Sequence, residues 1–298
     1  MKLLFTGASG FLGYNIKPLL ENVYTLTTVG FNGGDDVNIN LAKYTPAFSE
    51  PFDIVLHAAG KAHSVPKTDE DRKVFFEVNL QGTKNLCSAL EKVGVPSSLI
   101  FISTVAVYGL DFGEFITEDQ PLNGETPYAL SKLQAEEYLV EWCSQNGVKL
   151  SIIRPSLIAG PNPPGNLGDM IRGIKTGRYF SISGGKARKS VLMVQDIANL
   201  VPLLAEKGGI YNVCDSEQPT FRDLENLIAK QLRKSNPISI SYGLAKILAK
   251  ICDLFGKHAP FNSIKLDKIT KSLTFSNEKA RKELGWKPLD VLQNFRIK

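Results

Sequence analysis

The sequence predicts an α/β fold built on a doubly wound parallel sheet, and three observations predict it. Short runs rich in apolar and β-branched residues recur through the first 155 residues. Stretches with helical periodicity separate these runs, and such alternation is typical of a parallel sheet covered by helices on both faces. A glycine-rich turn directly follows the first run. Together they indicate a Rossmann-type sheet, completed by a smaller C-terminal α/β lobe that binds the substrate.

The elements of the first half follow from their composition. The predicted strands are short and β-rich enough to be buried in a parallel sheet: KLLF, YTLTTV, FDIVLHAA, SLIFIST and KLSIIRP. The clearest predicted helices each end at a glycine: FFEVNLQGTKNLCSALEKVG and TPYALSKLQAEEYLVEWCSQNG. Pro18 lies inside the helix predicted after the glycine turn. We expect it to kink or shorten that helix, because proline removes a backbone hydrogen bond.

The pattern changes after Pro155, where we predict a domain boundary. AGPNPPGNLG is a loop rich in proline and glycine, and a helix is predicted near residues 221–234. YGLAKILAKICDLFG is predicted to be an amphipathic helix that faces the core rather than a membrane anchor. We therefore predict a dinucleotide-binding domain at 1–155 and mainly a substrate-binding lobe at 156–298, with a return to the first domain near 190–215.

The composition is that of an ordinary globular protein and disfavours several classes. The chain has 298 residues, of which 43% are hydrophobic and 22% charged, and its net charge is +5 without a block of five like charges. We therefore expect no nucleic-acid partner. No window approaches the length of a membrane span, the N-terminal apolar run is too short for a signal peptide, and no membrane partner is expected. Four isolated cysteines favour the reducing cytoplasm, without disulfides or a metal site.

The glycine turn predicts dinucleotide binding. TGASGFLG places Gly7, Gly10 and Gly13 between a predicted strand and a predicted helix. Glycines permit a tight turn and close backbone approach there, and the helix N-terminus offers free N–H groups to a pyrophosphate.

The second half of the dinucleotide fingerprint is missing. A carboxylate about 20 residues further on would bind the adenosine ribose through its 2′-OH. Gly30 lies at about that position, Asp35 and Asp36 come later, and no Arg is near to accept a 2′-phosphate. The choice between NAD and NADP stays open.

A tyrosine and a lysine in TPYALSK predict a catalytic pair. Tyr128 and Lys132 are four residues apart and therefore share one face of a helix. A nearby ammonium lowers the pKa of a phenol, so Tyr128 could exchange a proton with a substrate hydroxyl or ketone. FISTVAVYG adds Ser103 and Thr104 at the end of a predicted strand, where ligands of open α/β sheets bind.

These motifs together resemble the extended short-chain dehydrogenase/reductase family. TGASGFLG, HAAG, FISTVAVYG and YALSK are similar to its nucleotide-sugar epimerase, dehydratase and reductase branch, and RPSLIAGP and KELGWKP are similar to the branch's downstream landmarks. The resemblance covers residues 3 to about 288. It implies that Tyr128 is the base, that Lys132 holds the nicotinamide ribose, and that Thr104 is the catalytic hydroxyl beside the substrate.

The resemblance also implies ligand-binding positions. Those implied for the cofactor are Gly7, Gly10, Phe11, Leu12, Gly13, Asn38, Ile39, Ala58, Ala59, Gly60, Asn79, Ser103, Tyr128, Lys132 and Pro155. Those implied for a nucleotide-diphosphate sugar are Thr104, His63, Asn166 and the basic pair Arg188 and Lys189, of which Lys189 stands where the branch has an Arg. The resemblance further implies a homodimer, since members commonly pair through the helix that bears Tyr128; Leu133 and Leu139 could serve that bundle or the core.

The residues after Thr104 bear on the reaction. Dehydratases of the branch carry an Asp-Glu pair there, whereas this chain has Val105 and Ala106. The resemblance then implies hydride transfer at a sugar carbon, with C4 the expected one. The enzyme would be an epimerase of a UDP-hexose or UDP-N-acetylhexosamine, or alternatively a 4-keto-sugar-nucleotide reductase. AAGKAHSVPKTDED and GPNPPGNLGDMI are similar to a subgroup that acts on acetamido sugars in surface polysaccharide synthesis. A non-catalytic dinucleotide sensor or scaffold is the alternative of another class.

Overall fold

The computed structural model describes residues 1–31, 33–62, 64–253 and 262–297. Its strands are β1 (Lys2–Thr6), β2 (Thr25–Gly30), β3 (Val37–Asn38), β4 (Ile54–His57), β5 (Ser98–Ile102), β6 (Gly113–Ile116), β7 (Lys149–Pro155), β8 (Leu157–Ala159), β9 (Ser181–Ile182), β10 (Val191–Met193), β11 (Gly209–Val213), β12 (Ser239–Ile240) and β13 (Leu273–Phe275). Its helices are α1 (Phe11–Glu21), α2 (Asp69–Phe76), α3 (Gly82–Val93), α4 (Pro127–Asn146), α5 (Gly165–Lys175), α6 (Val194–Lys207), α7 (Phe221–Gln231), α8 (Tyr242–Asp253), α9 (Ser263–Thr270), α10 (Glu278–Leu284) and α11 (Val291–Asn294).

A parallel sheet forms the centre of the molecule. Within the described residues it has seven strands in the order β11-β7-β5-β4-β1-β2-β3. Each neighbouring pair is parallel, with β1 paired to β2 on one side and to β4 on the other. The predicted doubly wound α/β fold is confirmed, and the five predicted strand segments form β1, β2, β4, β5 and β7.

Two apolar layers cover the two faces of this sheet. One contains α1 and α6, whose buried side chains pack with Phe5, Leu56 and Ile153. The other contains α3 and α4, whose buried side chains pack with Val55, Leu99 and others from the same strands. Because the central strands are buried on both faces, they read as continuous apolar runs.

Of the two effects expected of Pro18, a kink or a shorter helix, the shortening does not occur. The helix continues to Glu21, and Pro18 lies on its exposed side. Solvent can therefore satisfy the carbonyl group that the missing N–H would have bonded.

The second half of the chain forms smaller pairs and also rejoins the main sheet. Strands β8 and β10, β9 and β12, and β6 and β13 form parallel pairs. Strand β11 pairs with β7 at the edge of the main sheet. The predicted helix near 221–234 is α7, which begins at a capping box between Thr220 and Asp223.

Helix α8 forms over the described part of the predicted helix, and residues 254–256 lie outside the described residues. The expectation that its apolar side faces the core is wrong. Its buried residues are the small Ala245 and Ala249. The larger Leu244, Ile247 and Ile251 are exposed.

Candidate active site

The sheet order creates a crevice where the winding reverses. The chain proceeds from β1 to β2 and β3 on one side, and from β4 to β5 and β7 on the other. Ligands of such sheets bind outside the carboxyl ends of the strands at this switch point. A cavity of about 210 Å³ lies there. Its lining includes many of the predicted site residues: Leu12, Ala58, Gly60, Ser103, Thr104, Tyr128, Lys132 and Pro155.

The glycine turn is built for close backbone contact. Gly7 has a φ of +81°, and a Cβ there would lie 2.7 Å from the backbone nitrogen of Ala59. A Cβ on Gly13 would lie 2.3 Å from Ala8, so a side chain would push the turn off the helix. Gly10 precedes α1 and, among the described residues, no side chain caps this helix start. The first N–H groups of α1 therefore fit a pyrophosphate.

The structure fills the position of the missing ribose carboxylate with Asp35. A Cβ on Gly30, the last residue of β2, would lie 1.8 Å from Asp35 Oδ2 and 3.0 Å from Ser9 Oγ. The Asp35 carboxylate thus occupies the space that a side chain at position 30 would take. Its buried Oδ2 has no hydrogen-bond partner among the described residues. By position along the chain Asp35 comes too late for this role, but the loop after β2 returns it to the strand end.

Asp36, by contrast, is already engaged. Its Oδ2 accepts hydrogen bonds from the Thr28 backbone nitrogen (2.8 Å) and hydroxyl (2.9 Å). These bonds hold the pKa of the Asp36 carboxyl below its usual value. The predicted adenine-side residues Asn38 and Ile39 lie beside the same strand end, where Ile39 N donates to the Gly30 carbonyl group at 2.7 Å.

Tyr128 and Thr104 meet at the cavity. Thr104 follows β5, and Tyr128 is the second residue of α4, which begins at a Thr126 cap. Both side chains line the cavity, and the Tyr128 ring lies 6.3 Å from that of Phe75. Burial raises the pKa of Tyr128, and the Thr104 hydrogen bond opposes that shift. The expected lowering of this pKa by Lys132 is not observed among the described interactions.

The reason lies in the direction of the Lys132 ammonium. It is buried, and its Nζ donates to the Ile102 carbonyl group at 2.8 Å and lies 4.5 Å from the Phe101 ring centroid. Burial lowers the pKa of Lys132 to about 8, while the carboxylate of Glu136 one turn further along α4 opposes this shift. Lys132 therefore stands at the floor of the cavity with a charge that neutral pH largely retains.

A buried polar network behind the cavity was not predicted. Ser103 Oγ donates to Glu136, whose Oε2 receives Arg154 Nη2 at 2.6 Å. Arg154 Nη1 donates to the Tyr108 hydroxyl at 3.1 Å, and Tyr108 donates to Asn212 Oδ1 at 2.7 Å. The network joins β5, α4, β7 and β11. A sequence signal existed, because Glu136 lies four residues after Lys132 on the same helix face.

Asn79 is positioned by an irregular helix. A π-helical stretch, Glu77–Gln81, lies between α2 and α3, and such bulges are frequent at functional sites. Buried Asn79 accepts from Lys61 N (2.7 Å) and donates to Ser131 Oγ (2.8 Å). A Cβ on Gly60 would lie 3.0 Å from Asn79 Oδ1 and 3.1 Å from Lys132 Nζ. Asn79 therefore ties the loop after β4 to the helix that bears Tyr128.

The predicted substrate residues are only partly brought together. Lys189 is part-buried, and burial lowers its pKa to about 8 against the opposing charge of Asp111. Arg188 is exposed and donates to the Gln218 carbonyl group at 2.5 Å, in a second pocket beside Phe115. Asn166 lies exposed in the first turn of α5. His63 lies outside the described residues.

The cavity lining also restricts the chemistry. Among the described lining residues the ionisable side chains are Tyr128, Lys132 and Lys61, and no carboxylate is present. Val105 and Ala106, which follow Thr104, start a short 3-10 helix. In the described part of the chain, the groups fit proton exchange at one oxygen next to a bound dinucleotide.

Comparison with known proteins places these features in a family. The model of the NAD dependent epimerase/dehydratase family matches residues 3–214. The chain is 30% identical to an N-acetyl-α-D-glucosaminyl-diphospho-ditrans,octacis-undecaprenol 4-epimerase of Escherichia coli O157:H7, over 93% of this chain and 88% of that protein. It is 28% identical to a UDP-glucose 4-epimerase of Vibrio cholerae, over 98% and 92%. It is 29% identical to a GDP-6-deoxy-D-mannose reductase of Pseudomonas aeruginosa, over 76% and 79%.

Solved structures share the fold over almost the whole chain. RMD from Pseudomonas aeruginosa, solved with NADPH, superposes with a TM-score of 0.74 at 23% identity, over 98% of this chain and 95% of that one. A UDP-glucose 4-epimerase of Thermus thermophilus, solved with NAD, gives a TM-score of 0.71 at 24% identity, over 97% and 94%.

Proposed function

Since the chain belongs to the NAD-dependent epimerase/dehydratase family, within the extended short-chain dehydrogenases/reductases, we propose that it is a 4-epimerase of a hexose or N-acetylhexosamine carried on a diphosphate. The observation that carries this proposal is the meeting of Thr104, Tyr128 and Lys132 at a cavity whose described lining lacks a carboxylate. Proton exchange at one hydroxyl needs these groups, whereas dehydration needs an added acid and base.

Each residue has a defined part in the proposed reaction. The Tyr128 phenolate takes the proton of the sugar 4-hydroxyl, and Thr104 hydrogen-bonds the same oxygen. The Lys132 ammonium, which in the described contacts donates to the Ile102 carbonyl group and does not act on Tyr128, holds the nicotinamide ribose. A bound nicotinamide would supply a reversible acceptor for the C4 hydride, and because the 4-keto sugar turns over between the two transfers, the hydride would return to the opposite face of C4. Tyr128 gives its proton back to the same oxygen as the alcohol re-forms.

The cofactor is NAD or NADP, and we assign the preference to NAD. The buried Oδ2 of Asp35, which has no hydrogen-bond partner among the described residues, fits the 2′-OH of an adenosine ribose at the end of β2. A 2′-phosphate in the same place would meet a carboxylate, which like-charge repulsion disfavours. An NAD-selective site suits an epimerase, because that reaction regenerates its cofactor at every turnover.

The diphosphate of the substrate has a candidate partner in Lys189. It is part-buried beside the Asp111–Lys268 ion pair, and an anion would favour its charged form. The relatives act on sugars carried by either a nucleoside or an undecaprenol, according to their names. A UDP sugar is the default substrate to test first. Arg188 is the matched comparison, because its guanidinium donates to the Gln218 carbonyl group in a pocket beside Phe115.

A 4-keto-sugar reductase is the second candidate. The chain is 29% identical to a reductase over 76% of its length, so the relatives alone do not favour an epimerase. Analysis of the small molecule released on denaturation distinguishes the two. Near-stoichiometric NAD supports the epimerase. Interconversion of UDP-N-acetylglucosamine with its C4 epimer without added cofactor would demonstrate epimerase activity directly.

Other outcomes identify the alternatives. A cofactor-free protein that oxidises added NADH or NADPH with a 4-keto sugar nucleotide is the reductase. The Tyr128→Phe variant should keep its NAD and lose about 10²- to 10⁴-fold in turnover. Absence of turnover in the wild type with either class of substrate supports the non-catalytic sensor or scaffold, whereas unchanged turnover in the variant would contradict the role given to Tyr128.

We also propose a cytoplasmic location and a homodimer. All four cysteines, Cys87, Cys143, Cys214 and Cys252, are free, which is consistent with the cytoplasm. We expect a homodimer through α4. Leu139 belongs to the core and Leu133 is part-buried, so the exposed Leu130 and Val140 are better candidates for that interface.

A further inference from the structure

Helix α8 carries an apolar stripe on its outer side. Leu244, Ile247, Leu248 and Ile251 follow the i, i+3, i+4, i+7 spacing of a single helical face. They are between 42% and 59% exposed. Apolar residues at this spacing normally face the core of a globular protein, so a stripe that remains exposed over two turns marks an interaction surface.

The opposite side of α8 is what attaches it to the molecule. Ala245 and Ala249 are fully buried and pack with Leu266 of α9 and with Ile182 and Ile240. Small side chains on the inner face and large ones on the outer face are the reverse of the usual order. The helix is therefore held by the fold in a way that leaves its larger apolar side available.

Positive charge flanks the apolar stripe. Lys246 and Lys250 are one turn apart, both exposed, and Lys246 Nζ lies 5.9 Å from the ring centroid of Tyr242. The surrounding sequence, residues 233–271, has eight Lys or Arg and two Asp. Its excess of positive charge is larger than the net +5 of the whole chain, so the remainder of the chain is not basic.

We propose that α8 docks the protein on an anionic phospholipid surface. An amphipathic helix with an apolar face and flanking lysines lies in the plane of a membrane interface, with its apolar side among the acyl chains. Anionic headgroups supply the charge that complements the lysines. This proposal departs from the expectation of no membrane partner. In the part of the chain that the structure describes, no helix is long and apolar enough to cross a bilayer.

The docking helix is connected to the candidate diphosphate site. It packs on α9, whose Lys268 pairs with Asp111 at 2.9 Å, and both charges act on Lys189. Leu273, three residues after α9, forms an isolated parallel β-bridge with Lys189. When the protein docks through α8, the substrate lobe, and not the glycine turn, is therefore the part that contacts the lipid surface.

Co-sedimentation of the full chain with vesicles tests the proposal. We expect binding to vesicles of phosphatidylglycerol and phosphatidylethanolamine in equal parts, and little binding to vesicles of phosphatidylcholine alone. Ile247→Glu should weaken binding about tenfold or more, because it puts a charge into the apolar stripe. Val23→Glu is the matched control, since Val23 is 67% exposed and lies outside α8.

Lysine variants test the charge. Lys246→Gln together with Lys250→Gln should weaken binding to the anionic vesicles about 30-fold, since each lysine near such a surface is worth about fivefold. Lys43→Gln together with Lys92→Gln, which removes two exposed lysines elsewhere, should leave it nearly unchanged. All four variants should match the wild type in circular dichroism and melting temperature, because the replaced side chains are exposed.

Three results would overturn the proposal. The first is a wild-type protein that does not sediment with the anionic vesicles, and the second is a set of α8 variants that bind as the controls do. The third is a wild-type dimer that Ile247→Glu converts to monomer without any vesicle binding, which would assign the face to a second copy of the chain. The measurement uses neither cofactor nor sugar, so it stands independently of the proposed epimerase activity.

Discussion

At the scale of the residue, Asp35 should decide which dinucleotide binds. Asp35→Asn should weaken NAD binding about 10- to 100-fold, because a hydrogen bond to a charged group contributes about 1.5–3 kcal/mol. Binding of NADP should weaken less or improve, since the repulsion is removed. Titration calorimetry of the cofactor-free protein measures both. Asp36→Asn is the adjacent control and should lower the melting temperature through Thr28 without changing the preference.

Burial of the Lys132 ammonium in the candidate site should lower the free energy of unfolding. Its pKa in the folded protein is about 8, below the ordinary value of 10.5. The folded state therefore binds fewer protons than the unfolded state between those two pH values. The destabilisation is complete below pH 8 and is relieved as the pH rises to 10.5, by about 3 kcal/mol in all.

Lys132→Met should accordingly unfold at a higher denaturant concentration than the wild type at pH 7. Part of the gain is offset because the Ile102 carbonyl group loses its donor. The difference between the two proteins should shrink as the pH approaches 10.5. A constant difference across this range would show that burial of the charge is not the cause.

At the scale of the element, the π-helical stretch should stabilise the loop after β4 through Asn79. Asn79→Ala removes hydrogen bonds to Lys61 and Ser131 and leaves buried groups without partners. We expect a loss of about 2–3 kcal/mol in the free energy of unfolding. Urea denaturation measures it. The nearby Gln81→Ala, at an exposed position, should change it by about 0.5 kcal/mol or less.

An element was predictable from the sequence where its hydrophobic pattern agrees with what covers it in the fold. The buried strands β1, β4 and β5 were found from their apolar runs, and α4 from its periodicity and its terminal glycine. The same reasoning found α8 but not its orientation, because periodicity identifies an apolar face and says nothing about what covers it. The role of Asp35 was missed because it depends on how the loop after β2 folds back over Gly30, and the Glu136–Arg154 pair was missed because it joins α4 to β7.

At the scale of the whole molecule, the return of the chain to the main sheet has a measurable effect. Helix α6 buries Val194, Ile197, Leu200, Val201 and Leu204 in the core cluster of the sheet, and β11 covers the edge of β7. A fragment of residues 1–155 would expose that core and leave the edge of β7 open to aggregation.

We therefore predict that the fragment 1–155 shows no cooperative thermal transition, whereas the fragment 1–218 does. Calorimetry of the two fragments checks this. The predicted boundary at residue 155 would be supported by a cooperative transition in the shorter fragment. Failure of both fragments would indicate that α10 and Trp286, which also pack on this core, are required.

The place of Asp35 has a consequence for how cofactor preference can evolve. Gly33 and Gly34, with φ values of +82° and +81°, have open space around them and return the chain so that Asp35 covers Gly30. The acidic group thus belongs to a surface segment instead of to the strand itself. Exchange of residues 31–36 between homologues should therefore transfer the preference for NAD or NADP. The preference could be gained or lost without any mutation in the sheet.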